Sequence, residues 1–281
     1  MSSEKVEGIS IIDIDKTLKT KNPGLYRWLP RFVINYLKRV IHQDEYNVYI
    51  TGHSHESGIE FVHSSLEFTK VKYELRGIEN LPENGRFVFA ANHPLGGVDG
   101  LAFISAMHKH YGDCKVIVND LLMNLKNLGP FFIGVNKHGS NTKDSIIQFD
   151  NTMAGDLPIL VFPAGLISRK INGVITDLEW KKTFLHKAIQ HKRDIIPVHI
   201  SGRVSNFFYR LYTFRKFFGI KANIEMLYLP DETLKQRGKT ITLTFGKPIP
   251  YNSFDNSLNH TQWAQKIKEL VYQLPQNYSS K

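Results

Sequence analysis

Short apolar runs that alternate with helix-length segments are the feature that most constrains the fold of this 281-residue chain. The runs are KYELRGI (72–78), RFVFAA (86–91), CKVIV (114–118), FFIGV (131–135), PILVF (158–162), DIIPVHI (194–200) and TITLTFG (240–246). Runs of this length that are rich in Val, Ile and Phe are typical of buried strands, and strands that alternate with helices form parallel sheets. The sequence therefore predicts an α/β fold, with a mostly parallel mixed sheet and covering helices.

Helical patterns flank the predicted sheet on both sides. Apolar residues recur at helical spacing over 25–41 and again over 258–274. Pro30 is tolerated in a first helical turn, so we expect the earlier helix to begin near it. We therefore divide the chain into an N-terminal helical segment, residues 1–70, which is predicted to associate with a membrane, and an α/β domain, residues 71–281, that ends in a helix.

The charge of the chain favours a polyanionic partner, because the formal net charge is +10 and the pI is near 9.5. Nucleic acid, anionic lipid and an acidic carrier protein all fit. The single cysteine, Cys114, excludes an intrachain disulfide framework and is interpreted as a small buried hydrophobe. We see no signal-peptide pattern, and no run approaches the roughly 18 apolar residues of a spanning helix. We expect a cytosolic or monotopic protein.

The stretch FVFAANHPLGGVDGL, residues 87–101, carries the candidate catalytic pair. A strand-like run delivers His93 onto a turn, and Asp99 follows two glycines, Gly96 and Gly97. An imidazole is the natural general base near neutral pH, and a carboxylate on its other nitrogen fixes the tautomer and stabilises the charged form. The alternative is a structural loop histidine beside an unrelated turn aspartate.

Two basic aromatic segments are candidates for membrane contact, residues 25–41 and FFYRLYTFRKFFGIK at 207–221. Rings and cations interleaved in this way suit a headgroup interface with anionic lipid. The residues predicted to contact the membrane are Trp28, Phe32, Phe207, Phe208, Tyr209 and Phe217. The alternative for each segment is a helix packed on the core. For residues 207–221, a further alternative is that the rings stack on the bases of single-stranded nucleic acid.

Four motifs of this chain resemble those of the glycerolipid acyltransferase family, the 1-acylglycerol-phosphate type. They are Asn92-His93 with Asp99, LGPFFIGVNK (128–137), VFPAGLISR (161–169) and IIPVHI (195–200). Each is weak alone, but four in the family's order make a specific signal. The forms HPLGGVDG, FPAGLISR and DLEWKKTFLHKA are most similar to the bacterial hemolysin-type branch, which includes O-acyltransferases of amino-acid-containing lipids.

The resemblance implies an enzyme that transfers a fatty acyl group to an alcohol, with His93 as general base and Asp99 as its orienter. No Gly-x-Ser-x-Gly motif indicates a serine acyl-enzyme, so the acceptor hydroxyl would attack directly. The implied donor is acyl-carrier protein or acyl-CoA, and the implied acceptor is a lyso-lipid at an anionic membrane surface. The enzyme would lie at the cytoplasmic face of the inner membrane, with no cofactor, no metal and no nucleic-acid partner. The residues implied to bind substrate are Asn92, Gly96, Gly97, Lys137, Phe162, Pro163, Gly165, Ser168 and Arg169.

The chain also departs from the family pattern. Five residues separate His93 from Asp99 where the family usually has four, and we expect the glycines between them to absorb the extra residue. Ala164 stands at the position of a family glutamate, and Asn136-Lys137 stand where an arginine is usual. In the family, the glutamate and arginine help to hold a glycerol phosphate. Their loss favours a lyso-aminolipid, an N-(3-hydroxyacyl) amino acid, as the acceptor. The alternatives are a 1-acylglycerol-3-phosphate acyltransferase and an inactive membrane- or nucleic-acid-binding protein.

Overall fold

The computed structural model describes residues 12–83, 86–119, 122–135 and 143–278, with the side chains of 143–146 and 278 left out. Its strands are β1 (Lys72–Arg76), β2 (Phe87–Ala91), β3 (Lys115–Asn119), β4 (Phe132–Val135), β5 (Ile159–Val161), β6 (Arg169–Ile171), β7 (Val174–Thr176), β8 (Asp194–Ile200) and β9 (Thr240–Phe245). Seven of them form one sheet in the order β1-β9-β8-β2-β5-β3-β4, and β6 pairs with β7 in a hairpin.

The large sheet is mostly parallel, which confirms the predicted fold class. Each of the seven predicted runs overlaps one of its strands, and the antiparallel pairing within it joins β8 to β9. The central strand β2 pairs in parallel with β8 on one side and β5 on the other, with Ala91 opposite Val198 and Ala90 opposite Val161. The carboxyl ends of these three strands therefore lie side by side at one edge of the sheet.

The β6–β7 hairpin was not predicted from the sequence. Its strands have three residues each, shorter than the runs that indicate a strand. The tip is Asn172-Gly173, and both residues have positive φ, 49° and 85°. An Asn-Gly pair between β-branched residues is the usual signal of a tight hairpin, so this dipeptide was the available sequence evidence.

Eleven α-helices accompany the sheet in the described residues. They are α1 (Ile14–Lys21), α2 (Pro23–Trp28), α3 (Arg31–Val40), α4 (Gln43–Gly52), α5 (Ile59–Thr69), α6 (Gly97–Tyr111), α7 (Lys143–Ala154), α8 (Thr183–Gln190), α9 (Asn206–Phe217), α10 (Leu229–Leu234) and α11 (His260–Tyr278). Pro30 separates α2 from α3, so a helix begins beside it as predicted, and α11 covers most of the helix expected near the end of the chain. Across the described part of the chain, no helix has both the length and the hydropathy to cross a bilayer.

The sheet is buried on both faces, and β2 lies at its centre. Phe89 packs on one face, where its ring centroid is 5.1 Å from that of Phe103 on α6. Val88 packs on the other face, in a cluster with Trp180 and with side chains of α8 and α11. A strand covered on both sides is apolar at every position, which explains the continuous FVFAA run. Cys114 is buried in the first cluster, and burial raises the pKa of its thiol to about 12, as fits an unreactive core residue.

Candidate active site

The carboxyl end of β2 presents Asn92 and His93 at the sheet edge. Asn92 is buried, its side-chain NH₂ donates to the Ile200 carbonyl at 2.9 Å, and its side-chain oxygen accepts from the Ile200 N–H at 2.6 Å. These two bonds continue the β2–β8 pairing past the last residue of β2. The Asn92 side chain therefore has a structural role between β2 and β8, and substrate binding by Asn92 stays a prediction.

His93 and Asp99 are in contact, as the sequence predicted. Nδ1 of His93 lies 2.9 Å from Oδ2 of Asp99, and a carboxylate only accepts, so Nδ1 carries the hydrogen. The same oxygen accepts the Leu95 N–H at 2.9 Å and the Gly96 N–H at 3.1 Å. Burial raises the pKa of the Asp99 carboxyl, while the hydrogen bond and the charge of His93 lower it. Asp99 is therefore a fully enclosed carboxyl with three donors on one oxygen.

The extra residue between His93 and Asp99 is accommodated at Gly96. This glycine lies just before α6 with φ of +85°, a conformation that residues with a Cβ rarely adopt. A Cβ at Gly96 would meet its nearest neighbours at ordinary contact distances, so backbone conformation rather than space requires glycine here. The turn brings Asp99, in the first turn of α6, back to His93. Substrate binding by Gly96 or Gly97 stays a prediction.

The ring of His93 is fixed by a second aromatic group. Phe162, which directly follows β5, stacks on the imidazole with ring centroids 4.0 Å apart and planes 25° apart. The His93 side chain is 18% exposed, whereas that of Asp99 is not exposed at all. Among the described residues, no hydrogen bond engages Nε2 of His93. The imidazole thus has one nitrogen bound to a buried carboxylate and the other open to a reactant.

The segment 162–169 packs against the candidate catalytic pair. Gly165 has φ of +63° and its N–H donates to the Phe162 carbonyl at 2.9 Å, which closes a tight turn. The Ser168 N–H donates to the His93 carbonyl at 2.7 Å, and the Ser168 hydroxyl donates to Asp177 at 2.6 Å. Phe162 and Ser168 therefore hold His93 in place. Substrate contacts by Phe162, Pro163, Gly165 or Ser168 stay predictions.

Arg169 is not available to a substrate, which corrects the prediction for this residue. Its guanidinium is buried and lies 3.0 Å from Glu225, which also pairs with Arg215 at 2.8 Å. The rings of Phe208 and Tyr212 each lie 5.1 Å from it. This cluster joins β6 to α9 and to residues 224–228. Lys137, the other predicted anion-binding residue, lies outside the described residues.

Four of the six predicted membrane-contact residues lie on the surface. Trp28, Phe32 and Phe217 are each more than 70% exposed, and Phe207 is about half exposed. The prediction is wrong for Phe208 and Tyr209, which are 0% and 2% exposed. They occupy the inward face of α9, where they pack with Ile167 and Val204. Membrane contact by the four exposed residues stays a prediction.

Two residues near the site were missed from the sequence. Asp177 accepts a hydrogen bond from the His93 N–H at 3.2 Å. It lies in the segment DLEWKKTFLHKA, which the resemblance singled out without giving any of its residues a role. Arg203 follows Gly202, just beyond β8. Gly202 packs closely against the turn after His93, since a Cβ on it would lie 3.0 Å from the Leu95 side chain. The contacts of both depend on strand order, which local patterns do not reveal.

An imidazole held by a buried carboxylate at one nitrogen, at the carboxyl edge of a parallel sheet, has the geometry that a general base requires. A sequence model of the family described as Acyltransferase matches residues 16–276, nearly the whole chain. The chain belongs to this acyltransferase family, and it is an acyltransferase.

The chain is similar to two proteins with a functional name and to one solved structure. A protein of Bacteroides thetaiotaomicron named lyso-glycine lipid O-acyltransferase is 49% identical over 269 residues, which cover 95% of this chain and 99% of the relative. A protein of the same name from Phocaeicola vulgatus is 50% identical and covers 95% of this chain and 96% of the relative. The crystal structure of the 1-acyl-sn-glycerophosphate (LPA) acyltransferase PlsC from Thermotoga maritima aligns over 95% of this chain and 93% of its own. That alignment has 17% identity and a TM-score of 0.48.

Proposed function

We propose that this acyltransferase moves a fatty acyl group from a thioester donor, acyl-carrier protein or acyl-CoA, to the hydroxyl of a lyso-glycine lipid. The observation that carries the proposal is 49% and 50% identity, over almost the full length, to two proteins named for that reaction. Such an acceptor is an N-(3-hydroxyacyl) amino acid whose amino acid is glycine. It has a carboxylate and no phosphate, in keeping with Ala164 at the position of the family glutamate.

In the proposed reaction, Nε2 of His93 accepts the proton of the acceptor hydroxyl while the hydroxyl oxygen attacks the thioester carbonyl. Asp99 holds the hydrogen on Nδ1, so that the neutral imidazole keeps its lone pair on Nε2. The tetrahedral intermediate then expels the thiolate, which takes the proton from Nε2. The products are an ester and the free thiol of the donor, so the reaction as written requires no cofactor or metal.

The oxyanion of the intermediate requires a hydrogen-bond donor. In the turn at 163–165, Pro163 has no N–H, and the Gly165 N–H already donates to the Phe162 carbonyl. We therefore assign this role to the Ala164 N–H, the remaining amide of the turn. An alanine leaves that amide without the negative charge of the family glutamate beside it, which suits an anionic intermediate.

The carboxylate of the acceptor requires a cation, and Arg203 is our candidate. Its guanidinium bonds the side-chain oxygen of Asn206, a neutral partner, and lies 5.9 Å from the ring of Tyr209. β8, which leads to Arg203, is bonded to Asn92 beside the general base. An arginine fork binds a carboxylate through two parallel hydrogen bonds. In an extended N-(3-hydroxyacyl)glycine, the hydroxyl and the carboxylate are separated by roughly an arginine side chain's length.

We also propose that the enzyme docks peripherally on an anionic membrane, at the cytoplasmic face of the inner membrane, through α2, α3, residues 224–228 and α9. Tyr228 joins these elements: its hydroxyl lies 2.8 Å from that of Tyr36 on α3, and its ring is 4.9 Å from that of Phe207 on α9. The same helices carry exposed rings, which include Phe32 on α3 and Phe217 on α9. Large exposed apolar surfaces with adjacent cations are typical of interfacial binding.

The membrane proposal is tested by sedimentation with vesicles that contain phosphatidylglycerol. A Phe32→Ser, Phe217→Ser double variant should bind at least about tenfold more weakly, because each inserted ring contributes about 1.5–3 kcal/mol. Val48→Ser is the matched control, since Val48 is 76% exposed but lies on α4. Equal binding by both variants would contradict the proposal.

The function itself is tested with purified enzyme, acyl thioesters of carrier protein and of CoA, and a panel of acceptors. We expect acylation of N-(3-hydroxyacyl)glycine and little acylation of lysophosphatidic acid; the opposite preference would establish the phospholipid alternative. Arg203→Gln should raise KM for the glycine acceptor about tenfold or more, while KM for its uncharged glycinamide analogue stays unchanged. An equal change in KM for both acceptors would remove Arg203 from the acceptor site.

A further inference from the structure

Asp177 is a buried carboxylate that connects three separate parts of the site. It is 1% exposed. Its Oδ1 accepts the His93 N–H at 3.2 Å and the Ser168 hydroxyl at 2.6 Å, and its Oδ2 accepts the indole N–H of Trp180 at 2.9 Å. Three donors on a carboxylate removed from water make a strong and directional set of contacts.

These contacts hold the main chain of His93, whereas Asp99 and Phe162 hold its ring. The carbonyl of His93 accepts the Ser168 N–H at 2.7 Å, and the N–H of His93 donates to Asp177. Ser168 is fixed by the same carboxylate through its hydroxyl. Both peptide groups of His93 are therefore held by partners that meet at Asp177.

Asp177 is itself anchored to the rest of the fold. Its own N–H donates to the hydroxyl of Tyr272 at 2.7 Å, and its carbonyl accepts from Nζ of Lys268 at 2.5 Å. Both of these residues belong to α11, which packs against the sheet beside β8. The main chain of His93 is thus anchored through one carboxylate to α11, which begins at His260, 167 residues after His93 in the chain.

We infer that Asp177 is a positioning residue that fixes where Nε2 of His93 meets the acceptor hydroxyl. The inference rests on the proposed role of His93 as general base. Small displacements of a reacting group are costly in rate, up to about 100-fold for roughly 1 Å. The loss of this anchor should therefore lower kcat and leave the binding of either substrate unchanged.

Asp177→Asn tests this inference, because the amide has only one acceptor. If its oxygen faces His93 and Ser168, its NH₂ group faces the indole N–H of Trp180, and two donors oppose each other. We expect kcat to fall about 10- to 100-fold with KM changed less than about threefold. A kcat equal to that of the wild type would overturn the inference.

Trp180→Phe provides the matched rescue, since it removes the opposing donor and retains an aromatic ring. In the Asp177→Asn, Trp180→Phe double variant, the amide oxygen can again accept from His93 and Ser168. We expect its kcat to recover to within about fivefold of that of Trp180→Phe alone. If Asp177 only stabilised the fold, the effects of the two substitutions on kcat would add. A folded double variant with kcat at or below that of Asp177→Asn would therefore overturn the inference. The double variant also serves if Asp177→Asn alone does not fold.

Hydrogen exchange separates a failure of this inference from a failure of the proposed function. The amide proton of His93 should exchange at least about tenfold faster in the folded Asp177→Asn variant than in the wild type. This measurement requires no turnover, so it reports on the anchor even if the wild type acylates none of the acceptors in the panel. Unchanged exchange at His93 would overturn the inference, whereas an inactive wild type with the expected change would count against the proposed function alone.

Discussion

Asp99 accepts three hydrogen bonds at a single carboxylate oxygen, and two of the donors are backbone N–H groups with fixed directions. The third is Nδ1–H of His93. This arrangement fixes the tautomer in which Nε2 has a lone pair. Because the carboxyl is buried, water does not compete for these donors, and the preference for that tautomer is strong.

Asp99→Asn should lower kcat about 100-fold and change KM little, because a neutral amide cannot stabilise the imidazolium that forms when Nε2 of His93 accepts the proton. The fold and the imidazole tautomer should persist, since the amide oxygen can accept from Leu95, Gly96 and Nδ1–H of His93, as the single carboxylate oxygen does. Steady-state kinetics with a labelled thioester measures the effect. Asp156→Asn is the matched control, because the Asp156 side chain is 94% exposed. A kcat for Asp99→Asn within tenfold of the wild-type value would show that the charge of Asp99 does not support the base.

The contact between His93 and Asp99 was predictable from the sequence because the two residues are separated by one short turn, and Gly96 shows how that turn closes. The roles of Asn92 and Arg169 were not, because their partners are distant in sequence. Asn92 bonds Ile200, and Arg169 pairs with Glu225, 56 residues away. A buried arginine and an exposed one look the same in the sequence, and the partner decides which of them can bind a ligand.

At the scale of elements, the carboxyl end of α7 is held by Arg193. This buried guanidinium donates to the carbonyls of five residues, Phe87, Thr152, Met153, Gly155 and Leu157, at 2.5–3.2 Å. The last carbonyls of a helix have no partner within the helix and attract a cation. Arg193 thereby fastens α7 to the amino ends of β2 and β5.

Arg193→Met should lower the free energy of unfolding by about 2–4 kcal/mol, because it leaves several buried carbonyls without a donor. Arg86→Met is the control: Arg86 bonds carbonyls of the same helix end, but from a more exposed position. We expect the control to lose less than about 1 kcal/mol. Urea unfolding of both variants measures the difference, and equal losses would contradict this account of the helix end.

The central strands of the large sheet were predictable because they are short apolar runs, as β2 (FVFAA) and β5 (ILV) illustrate. The β6–β7 hairpin was missed because its strands are short and half-exposed, although Asn172-Gly173 marked its turn. The inward face of α9 was assigned wrongly at Phe208 and Tyr209. A helix with rings around its whole circumference gives no periodic signal for which ring is buried.

At the scale of the whole molecule, burial of ionisable groups ties stability to pH. His199 on β8 packs against Tyr272 of α11 with ring centroids 5.9 Å apart. Burial lowers the pKa of His199 to about 4 from the ordinary 6.5. Between these values the unfolded chain binds a proton that the folded chain does not, so stability falls as pH falls through this window.

His199→Phe should remove this dependence. Relative to the variant, the wild type should lose up to roughly 3 kcal/mol of unfolding free energy between pH 7 and pH 4. Urea unfolding at several pH values in that range measures the difference between the two proteins. The raised pKa of Asp99 acts in the opposite direction, but it is common to both proteins and cancels in the comparison. Parallel pH profiles would contradict a neutral imidazole at position 199 in the folded protein.

The order of strands in the sheet was not predictable from the sequence. β9 lies between β1 and β8, so the last strand of the chain separates two earlier ones. No local pattern encodes such a neighbour, because order is decided by which faces pack together across the whole domain. The positions of Asp177, Arg203 and α11 around His93 all follow from that order.

We propose that His93 is the general base for acyl transfer to a lyso-glycine lipid. The most direct measurement compares wild type and His93→Ala, with a labelled acyl thioester and N-(3-hydroxyacyl)glycine as acceptor. We predict that the wild type forms the labelled ester, and that His93→Ala, although folded and able to bind both substrates, forms it at least about 10³-fold more slowly. Undiminished transfer by His93→Ala, or no transfer to this acceptor by the wild type, would contradict the claim.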